Sequence, residues 1–381
     1  MKNSVAHFTF DFLRLSESWI YNQIIHQKMF SSVVLCRNRY NEKEFPIKPA
    51  HEYPKWGNDK KQTLHKKFSS LSQRLTNKAF PHEENYYIDK INISNAKIIH
   101  AHYGPSGVFA SKIKEKTGKP LVVTFYGSDI FKLTKQKYWQ SKYKKLFKVA
   151  DAFIVRSKRM QKKLNQLGCV NEKIHIINLG VDTKEIKYKK RAISKPSSFL
   201  IASRLEPIKG VIFAIKGFEK AQKTHRDIQL TIFGEGSEKQ KIINYIQKQK
   251  IKNISLKSFI SPSKLIKESY NYDIFLHTSI SQKGVEEANP LAIIERMASG
   301  MPIIATKHGG ISESVYDGKN GFLVDENDNN LLLEKIIELI EDREKRIQFG
   351  VTSRKIVEKK FNISKKTSSR EALYQSLMTK K

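Results

Sequence analysis

Cysteines and long apolar runs are both scarce in this sequence. Its two cysteines, Cys36 and Cys169, cannot build a disulfide framework and lack the spacing of metal ligands. No window contains the roughly 18 consecutive apolar residues that a membrane-spanning helix needs. The first 30 residues place Asp11, Arg14 and Glu17 among aromatic residues, which is unlike a secretory signal peptide. We therefore expect a cytoplasmic protein, free or bound peripherally to the inner face of the cytoplasmic membrane.

Acidic residues are few compared with basic ones. The 381 residues include 70 Lys and Arg against 37 Asp and Glu, a formal net charge of +33. The excess is uneven, because residues 1–195 carry 39 basic and 15 acidic residues, whereas residues 196–381 carry 31 and 22. Such a field attracts polyanions, such as nucleic acid, anionic lipid head groups or phosphorylated substrates. A plain compositional bias toward Lys, Asn and Ile, without any selected partner, is the alternative.

Short β-branched runs alternate with helical patterns in both halves, which is typical of parallel sheets with crossover helices. The predicted strands are residues 33–35, 98–100, 121–123, 152–155, 199–201, 230–233, 254–256, 274–276 and 302–305. The length suggests two α/β domains of Rossmann-like type, which we place at 1–195 and 196–363, joined by a polar, basic linker. Residues 364–381 are predicted to form a last helix, and whether it crosses back to the first domain stays open.

One segment after a predicted strand of the second half has the composition of an anion site. Residues 203–210 include Arg204 and Lys209, which could face one anion because ligands of open parallel sheets bind beyond the carboxyl ends of strands. A solvated turn with two surface cations is the alternative.

A second segment places Gly234 and Gly236 between a strand and a helix. Glycine at such a position lets backbone N–H groups approach a phosphate or a sugar closely. A G-x-G pattern alone is more simply explained by a tight turn.

A third segment combines a helix start with two carboxylates. Pro290 suits the first turn of a helix, and Gly300 with Pro302 suits its end. Glu287 therefore lies in the loop before the helix, and Glu295 lies within it. A helix N-terminus attracts phosphate through its free N–H groups and its dipole. Carboxylates on either side of a diphosphate can accept hydrogen bonds from hydroxyls, which fits a nucleotide-sugar; the alternative is a polar loop and a surface helix.

The order of these motifs, R-x4-K-G, G-x-G, E-x7-E, M-A-x-G-x-P and G-G-x-x-E, resembles the retaining GT-B glycosyltransferases of family 4. The resemblance covers nearly the whole chain, and E-x7-E is its most specific part. Segments 15–20 (LSESWI) and 99–104 (IHAHYG) are most similar to the subgroup that builds bacterial surface polysaccharides. The resemblance implies two Rossmann-like domains whose parallel sheets face each other across a cleft. It also implies transfer of a hexose from a UDP- or GDP-sugar to a lipid-linked or glycan acceptor in lipopolysaccharide, capsule or exopolysaccharide synthesis.

On the donor side, the resemblance assigns roles to the second half. Arg204 and Lys209 would bind the diphosphate and stabilise the leaving group, since fixed positive charge where negative charge develops is a large catalytic effect. Glu287 would hold the sugar hydroxyls and Glu295 the ribose. These cations would remove the need for a metal ion, and the sequence shows no D-x-D motif in a suitable loop and no His/Cys cluster. The other donor-site candidates are Ser203, Gly234, Gly236, Phe259 near the base, and Pro290, Leu291 and Ala292 at the distal phosphate.

On the acceptor side, the resemblance points to the first half. The candidates are Ser16, Glu17, Tyr126 and Gly127, together with His102, which matches a family histidine at the cleft. A structural hydrogen-bonding role for His102 stays open. Many relatives carry His where Tyr126 stands, and a phenol can still donate a hydrogen bond. The acceptor hydroxyl would attack on the face of the leaving group, as in retaining relatives, so Glu287 is expected to position the donor rather than to act as nucleophile.

Two basic segments suggest contact with an anionic membrane. Residues 60–78 contain no acidic residue and place apolar residues at helical spacing among basic ones, as in a helix that lies in the membrane interface. Residues 132–148 carry seven lysines interleaved with aromatic residues, whose stripe could instead pack on the sheet. Two alternatives remain: a soluble enzyme acting on a small-molecule or protein acceptor, and a basic nucleic-acid-binding protein, although no nucleic-acid-binding module is recognisable.

Overall fold

The computed structural model describes residues 2–14, 17–54, 81–191, 198–282, 286–288 and 290–379. These residues form two parallel sheets, one from each half of the chain, with helices between the strands. This arrangement confirms the predicted α/β class. Ser16, the basic segment at 60–78 and residues 192–197 of the expected linker lie outside the described residues, and the domain bounds stay a prediction.

The first sheet contains seven strands among the described residues, in the order β3-β2-β1-β4-β5-β6-β7, and all neighbours are parallel. The strands are β1 (Ser4–Phe12), β2 (Ser31–Arg39), β3 (Ala50–Glu52), β4 (Ala96–His102), β5 (Leu121–Thr124), β6 (Ala152–Val155) and β7 (Ile174–Ile176). The helices are α1 (Ser18–Ile25), α2 (Pro81–Ile93), α3 (Gly104–Thr117), α4 (Ser128–Phe131), α5 (Lys137–Val149) and α6 (Lys158–Gln166). Neighbouring residues such as Val122 and Val123 lie in separate apolar clusters, so both faces of the sheet are packed.

The second sheet contains six strands in the described part of the chain, in the order β10-β9-β8-β11-β12-β13, again all parallel. The strands are β8 (Ser198–Ala202), β9 (Gln229–Phe233), β10 (Ile254–Lys257), β11 (Ile274–His277), β12 (Ile303–Thr306) and β13 (Gly321–Val324). The helices are α7 (Val211–Gln222), α8 (Lys239–Lys248), α9 (Pro262–Ser269), α10 (Leu291–Ala298), α11 (Asn329–Glu341), α12 (Arg343–Ile356) and α13 (Ile363–Thr379). Each predicted strand falls on one of the observed strands.

The last helix, α13, packs against the first sheet. Glu371 Oε1 accepts hydrogen bonds from the main-chain N–H groups of Lys28 and Met29, both at 2.7 Å. The Tyr374 hydroxyl lies 2.5 Å from Nδ1 of His100 in β4. The end of the chain therefore contacts the half in which the chain begins.

Helix α5 carries the aromatic residues of the second basic segment. Tyr143 and Phe147 are buried in the core of the first half, and Trp139 packs partly against it. Tyr138 is exposed, and its ring contacts that of Trp139. Most of the aromatic stripe is thus explained by packing on the sheet. Within the described ranges, no helix has the length and the apolar character required to span a membrane.

Both sheets reverse their strand order in the middle, between β1 and β4 and between β8 and β11. In open α/β sheets, ligands bind at such a reversal, beyond the carboxyl ends of the strands. Arg14 and Tyr103, which follow β1 and β4, and Ser203, which follows β8, line one cleft between the two halves. The fold therefore places the strand-order reversals of both sheets at the same cleft.

Candidate active site

A cleft of about 710 Å³ lies between the two halves. Its second-half wall includes Arg204, Lys209 and Glu287, and its first-half wall includes Glu17 and Tyr126. The volume is in the usual range for sites that hold small molecules and cofactors. The structure therefore brings most of the sequence-predicted residues to one place.

Lys209 and Glu287 form an ion pair on the second-half wall. Lys209 Nζ contacts Glu287 Oε1, and the two side chains are only 13% and 14% exposed. The Ser279 hydroxyl donates to the same oxygen at 3.3 Å. Burial would raise the pKa of Glu287, but the Lys209 ammonium and nearby His277 lower it to about 2. Glu287 is therefore a carboxylate at neutral pH and a weak base.

The turn that carries Lys209 is held tightly against the end of β11. Gly210 has φ 57°, and a Cβ at this position would lie 2.1 Å from the carbonyl oxygen of Thr278. Only glycine fits such a close approach. The Thr278 hydroxyl donates to the Gly210 carbonyl at 3.1 Å, which fixes the turn. Lys209 is thus placed beside the loop that carries Glu287.

His277 lies at the end of β11, behind this ion pair. It is buried, and burial together with the Lys209 charge lowers its pKa to about 3. Its Nε2 lies 3.2 Å from the Ser279 hydroxyl, which also contacts Glu287. Sequence reasoning missed His277 and Ser279, although their place just after a strand of the second sheet was the available signal.

Arg204 and Ser203 extend the wall from the end of β8. Arg204 is exposed and lines the cleft. The Ser203 hydroxyl oxygen is buried without a hydrogen-bond partner among the described residues. A buried hydroxyl ordinarily has a partner, so this atom is suited to contact a bound molecule.

The two glycines of the G-x-G pattern have a packing role. A Cβ at Gly234 would lie 2.0 Å from the Ser203 carbonyl oxygen, and one at Gly236 would lie 2.4 Å from that of Leu205. Neither glycine lines the cleft; their neighbours Phe233 and Glu235 do. The pattern therefore lets the loops after β8 and β9 pack together, which is the tight-turn alternative.

Helix α10 begins at the cleft, as predicted from Pro290 and Gly300. Pro290, Leu291 and Ala292 all line the cleft. Glu295 lies one turn further along, 13% exposed, with Oε2 2.9 Å from Arg296 Nη1. Burial raises the pKa of Glu295, and Arg296 opposes this effect. Phe259, 40% exposed, closes this end of the cleft.

Glu17 and Trp19 belong to the first-half wall. Glu17 Oε1 accepts from the Tyr103 hydroxyl at 3.0 Å, whereas its Oε2 is buried and unpaired within the described residues. The indole Nε1 of Trp19, also on this wall, is a buried donor that lacks a partner in the same part of the chain. Burial raises the pKa of Glu17. An unpaired acceptor and an unpaired donor on one wall suit a ligand with hydroxyl groups.

Tyr126 and Gly127 complete this wall. The Tyr126 hydroxyl faces the interior, 2.6 Å from His102 Nδ1 and 3.2 Å from Gln23 Nε2. The part of Tyr126 that lines the cleft is therefore the rest of its side chain and not the hydroxyl group. Gly127 has φ 128°, and a Cβ there would lie 3.3 Å from that of Ala288, in the loop next to Glu287. Gly127 thus permits the close approach of the two halves.

His102 lies behind Tyr126 and does not line the cleft, which differs from its expected position. It forms a buried cluster with His7 and His100 whose ligand atoms lie within 4.8 Å of one another. This cluster corrects the expectation that the chain has no His cluster; residues 7 and 102 come from separate strands, so no local pattern shows it. Burial lowers the pKa of His102 well below its ordinary value.

Hydrogen bonds within the protein engage all six ring nitrogens of this cluster. The His7–His102 contact is 3.1 Å, and His7 also contacts Gln27 at 3.1 Å. His100 contacts Tyr374 at 2.5 Å and Thr124 at 2.7 Å. A metal ion would have to displace several of these bonds, so the cluster fits neutral, hydrogen-bonded imidazoles better than a metal centre.

Models of known families match both halves of the chain. The family described as Glycosyltransferase Family 4 matches residues 33–185, and the one described as Glycosyl transferases group 1 matches residues 182–356. The chain belongs to the family 4 type of GT-B glycosyltransferases. The chain has the fold of HepE from Anabaena, solved in complex with UDP and glucose: the TM-score is 0.78 at 16% identity, covering 98% of this chain and 100% of that one.

Curated relatives of this chain include two proteins named for exopolysaccharides. It is 30% identical over 249 residues to the putative colanic acid biosynthesis glycosyltransferase WcaL of Salmonella typhimurium, covering 64% of this chain and 61% of the relative. It is 28% identical over 273 residues to the amylovoran biosynthesis glycosyltransferase AmsK of Erwinia amylovora, covering 70% and 67%. The chain thus spans about three fifths of the length of WcaL.

Proposed function

We propose that this protein transfers a hexose from a UDP- or GDP-sugar to a lipid-linked or glycan acceptor in the synthesis of an envelope polysaccharide, with retention of anomeric configuration. The observation that carries the proposal is the buried Lys209–Glu287 pair, placed beside Arg204 and the start of α10 in one cleft. HepE, which shares the fold, binds UDP and glucose, and WcaL and AmsK are named for exopolysaccharides.

The diphosphate of the donor would bind between Arg204, Lys209 and the first N–H groups of α10. Positive charge and helix N–H groups at this position favour a phosphate. They also stabilise the negative charge that develops as the bond between the sugar carbon and the phosphate oxygen breaks. We therefore propose that transfer needs no metal ion.

Glu287 would accept hydrogen bonds from sugar hydroxyls, and Glu295 from the ribose. The pKa of Glu287, about 2, makes it a poor general base, and one of its oxygens already receives Lys209 and Ser279. We therefore assign it to positioning. The acceptor hydroxyl attacks the sugar carbon on the face of the leaving phosphate, and its proton passes to a phosphate oxygen as the new bond forms.

The acceptor would bind at the first-half wall. Among the described residues, Glu17 Oε2 and Trp19 Nε1 have no partner, so the oxygen can accept a hydrogen bond from a hydroxyl and the N–H can donate one. Aromatic side chains next to these atoms, from Tyr103 and Tyr126, add flat apolar surface. A sugar ring combines hydroxyls with apolar faces, so this wall suits a carbohydrate.

Binding at an anionic membrane would bring the protein to a lipid-linked acceptor. Helix α5 exposes Lys144, Lys145 and Lys148, and the exposed ring of Tyr138 in the same helix lies next to Lys142. Each basic residue near an anionic surface contributes about 1 kcal/mol. We expect the wild-type protein to float with anionic vesicles at low salt and at physiological salt. A Lys144→Ala, Lys145→Ala, Lys148→Ala variant should lose this binding at physiological salt. Failure of the wild type to float would contradict membrane docking.

A thermal-shift screen against UDP- and GDP-sugars tests the donor assignment. A ligand that binds the folded state raises the melting temperature by mass action, so we expect a clear shift with one nucleotide class. Arg204→Ala and Glu295→Ala should abolish it, because they remove a diphosphate contact and a ribose contact. Glu334→Ala, at an exposed residue of α11, is the matched control. Unchanged shifts in both site variants would refute the assignment.

A further inference from the structure

His308, which is buried, and Glu326, which is half-buried, form a hydrogen-bonded pair directly behind the loop that carries Glu287. His308 follows β12 and is 2% exposed, and Glu326 follows β13. His308 Nδ1 lies 2.7 Å from Glu326 Oε1. Neither residue lines the cleft, and the resemblance to family 4 assigned no role to either.

The hydrogen-bond partners of His308 determine which of its ring nitrogens carries the hydrogen. The main-chain N–H of Glu287 donates to His308 Nε2 at 3.2 Å, so Nε2 must be the unprotonated nitrogen. Nδ1 therefore carries the hydrogen, which it donates to the Glu326 carboxylate. A carboxylate that holds the opposite nitrogen selects this tautomer and the orientation of the ring.

Glu326 also holds the other end of the same loop. Its Oε2 accepts from the Ser281 N–H at 2.7 Å, and its Oε1 accepts from the Ser281 hydroxyl at 3.0 Å. One carboxylate thus ties the end of β13 to Ser281 directly and to Glu287 through His308. Burial would raise the pKa of Glu326, but these hydrogen bonds lower it, so it stays ionised.

The segment next to His308 packs on the main chain of the same loop. The Gly310 N–H donates to the Glu287 carbonyl at 2.9 Å. A Cβ at Gly309 would lie 2.2 Å from the Glu287 carbonyl oxygen, and one at Gly310 would lie 1.5 Å from that of Ala288. Both main-chain polar groups of Glu287 are therefore satisfied by this segment, while its carboxylate meets Lys209.

We propose that Glu326 and His308 are positioning residues that hold the Glu287 main chain so that its carboxylate faces Lys209 and the donor sugar. A buried N–H that loses its acceptor must find another one or move, so loss of either residue should loosen the Glu287 backbone. The consequence for turnover rests on the proposed function, whereas the consequence for the backbone does not.

The neighbouring pair of the same two segments provides a matched control. Lys307 and Asp325 each precede a member of the pair by one residue, and they form an exposed ion pair at 3.3 Å, with side chains 48% and 66% exposed. Glu326→Gln replaces an acceptor oxygen by a donor without changing shape. Asp325→Asn makes the same chemical change one residue earlier and should leave the Glu287 loop unaffected.

Amide hydrogen exchange at Glu287, resolved by fragmentation mass spectrometry, tests the proposal without any substrate. Removing a hydrogen bond to a charged group costs enough to change a local opening equilibrium roughly 10- to 100-fold. We expect hydrogen exchange at the Glu287 amide to be roughly 10- to 100-fold faster in Glu326→Gln and in His308→Ala. Asp325→Asn should exchange at the wild-type rate. Wild-type exchange in Glu326→Gln, or equal acceleration in Asp325→Asn, would overturn the proposal.

Turnover of the identified nucleotide-sugar supplies the functional readout. Glu326→Gln should lower kcat about tenfold or more while the Kd for UDP stays within a few-fold, because UDP lacks the sugar that Glu287 holds. The double variant His308→Ala, Glu326→Gln should lose less than the sum of the two single losses, because Glu326 reaches Glu287 through His308 although it also holds Ser281 directly. Additive losses, or a selective loss of UDP affinity, would contradict the positioning role. If no nucleotide-sugar is turned over, the proposed function fails, and the exchange experiment still decides the positioning claim.

Discussion

The two sheets share one strand order but present different chemistry at their carboxyl edges. The second sheet places Arg204, the Lys209–Glu287 pair and a helix start on the cleft. The first sheet places aromatic rings there together with the charged side chains of Arg14, Glu17 and Arg156, backed by neutral histidines that are hydrogen-bonded inside the protein. The shared topology determines where a ligand binds, and the side chains at the strand ends determine which ligand it is. We therefore propose that the diphosphate of the donor binds the second half and that a hydroxylated acceptor binds the first.

The largest effect that tests this contrast is expected from Lys209→Met. The variant keeps the length of the side chain but removes the cation that holds Glu287 and is proposed to face the diphosphate. Loss of one such charge-stabilising group typically costs about 10²- to 10³-fold in turnover, and we expect a loss of that size in kcat.

Steady-state kinetics with the identified nucleotide-sugar measures this effect. Lys241→Met, which removes an exposed lysine of α8 paired with Glu238, is the control and should retain wild-type kcat. Comparable losses in both variants would show that the second-half wall has no special role.

Acid is expected to destabilise the first half more than the second, because the first half contains the buried histidines His7, His100 and His102. His7 has a folded-state pKa of about 3 against 6.5 in the unfolded chain, because it is buried. The unfolded chain therefore binds a proton first, so the stability contributed by neutral His7 is complete above pH 6.5 and is lost as the pH falls toward 3. At pH 5 this loss is about 2 kcal/mol for His7 alone, and burial gives His100 and His102 the same direction.

Hydrogen exchange at pH 7 and pH 5 measures this difference between the halves. In the described part of the second half, one buried histidine on the cleft, His277, has its pKa lowered in this way. The pKa of Glu287 keeps its ion pair charged until the pH is well below 4.5. We expect amides of β1 and β4 to lose more protection at pH 5 than those of β8 and β12. A His7→Gln variant should reduce the acid-dependent loss, and equal losses in both sheets would contradict the account.

The smallest expected effect concerns Glu17 and the acceptor. Glu17→Gln keeps the shape but weakens the hydrogen bond that Oε2 can accept, so the KM for an acceptor glycoside should rise roughly three- to tenfold. The Kd for UDP, measured by calorimetry, should stay at the wild-type value, as it should in Glu42→Gln, an exposed control of the same half. A weakened UDP affinity in Glu17→Gln would place the donor on the first-half wall and contradict the proposed arrangement.

The sequence predicted the fold class and the donor wall because both leave local signals. β-branched runs gave the positions of strands such as β5 and β9, and the E-x7-E and R-x4-K spacings gave the side chains of the second-half wall. Strand β1 was missed because His7 and Asp11 interrupt its apolar pattern. His7 is nevertheless buried, since hydrogen bonds from distant residues satisfy it.

The rest of the site depends on contacts between residues far apart in the chain. His308 and Glu326 meet Glu287 and Ser281 only because β11, β12 and β13 end side by side. The family resemblance placed His102, the last residue of β4, at the cleft, but His7 of β1 and the Tyr126 hydroxyl contact its two ring nitrogens in the interior. No local pattern reports such tertiary partners, and only the fold shows which polar atoms remain unpaired.

A crystal structure of the protein with UDP is the most direct test of the central claim. The account predicts diphosphate oxygens within about 3 Å of the Arg204 guanidinium and Lys209 Nζ, at the start of α10, with the ribose beside Glu295. A diphosphate bound to the first-half wall, or one that contacts neither Arg204 nor Lys209, would contradict it.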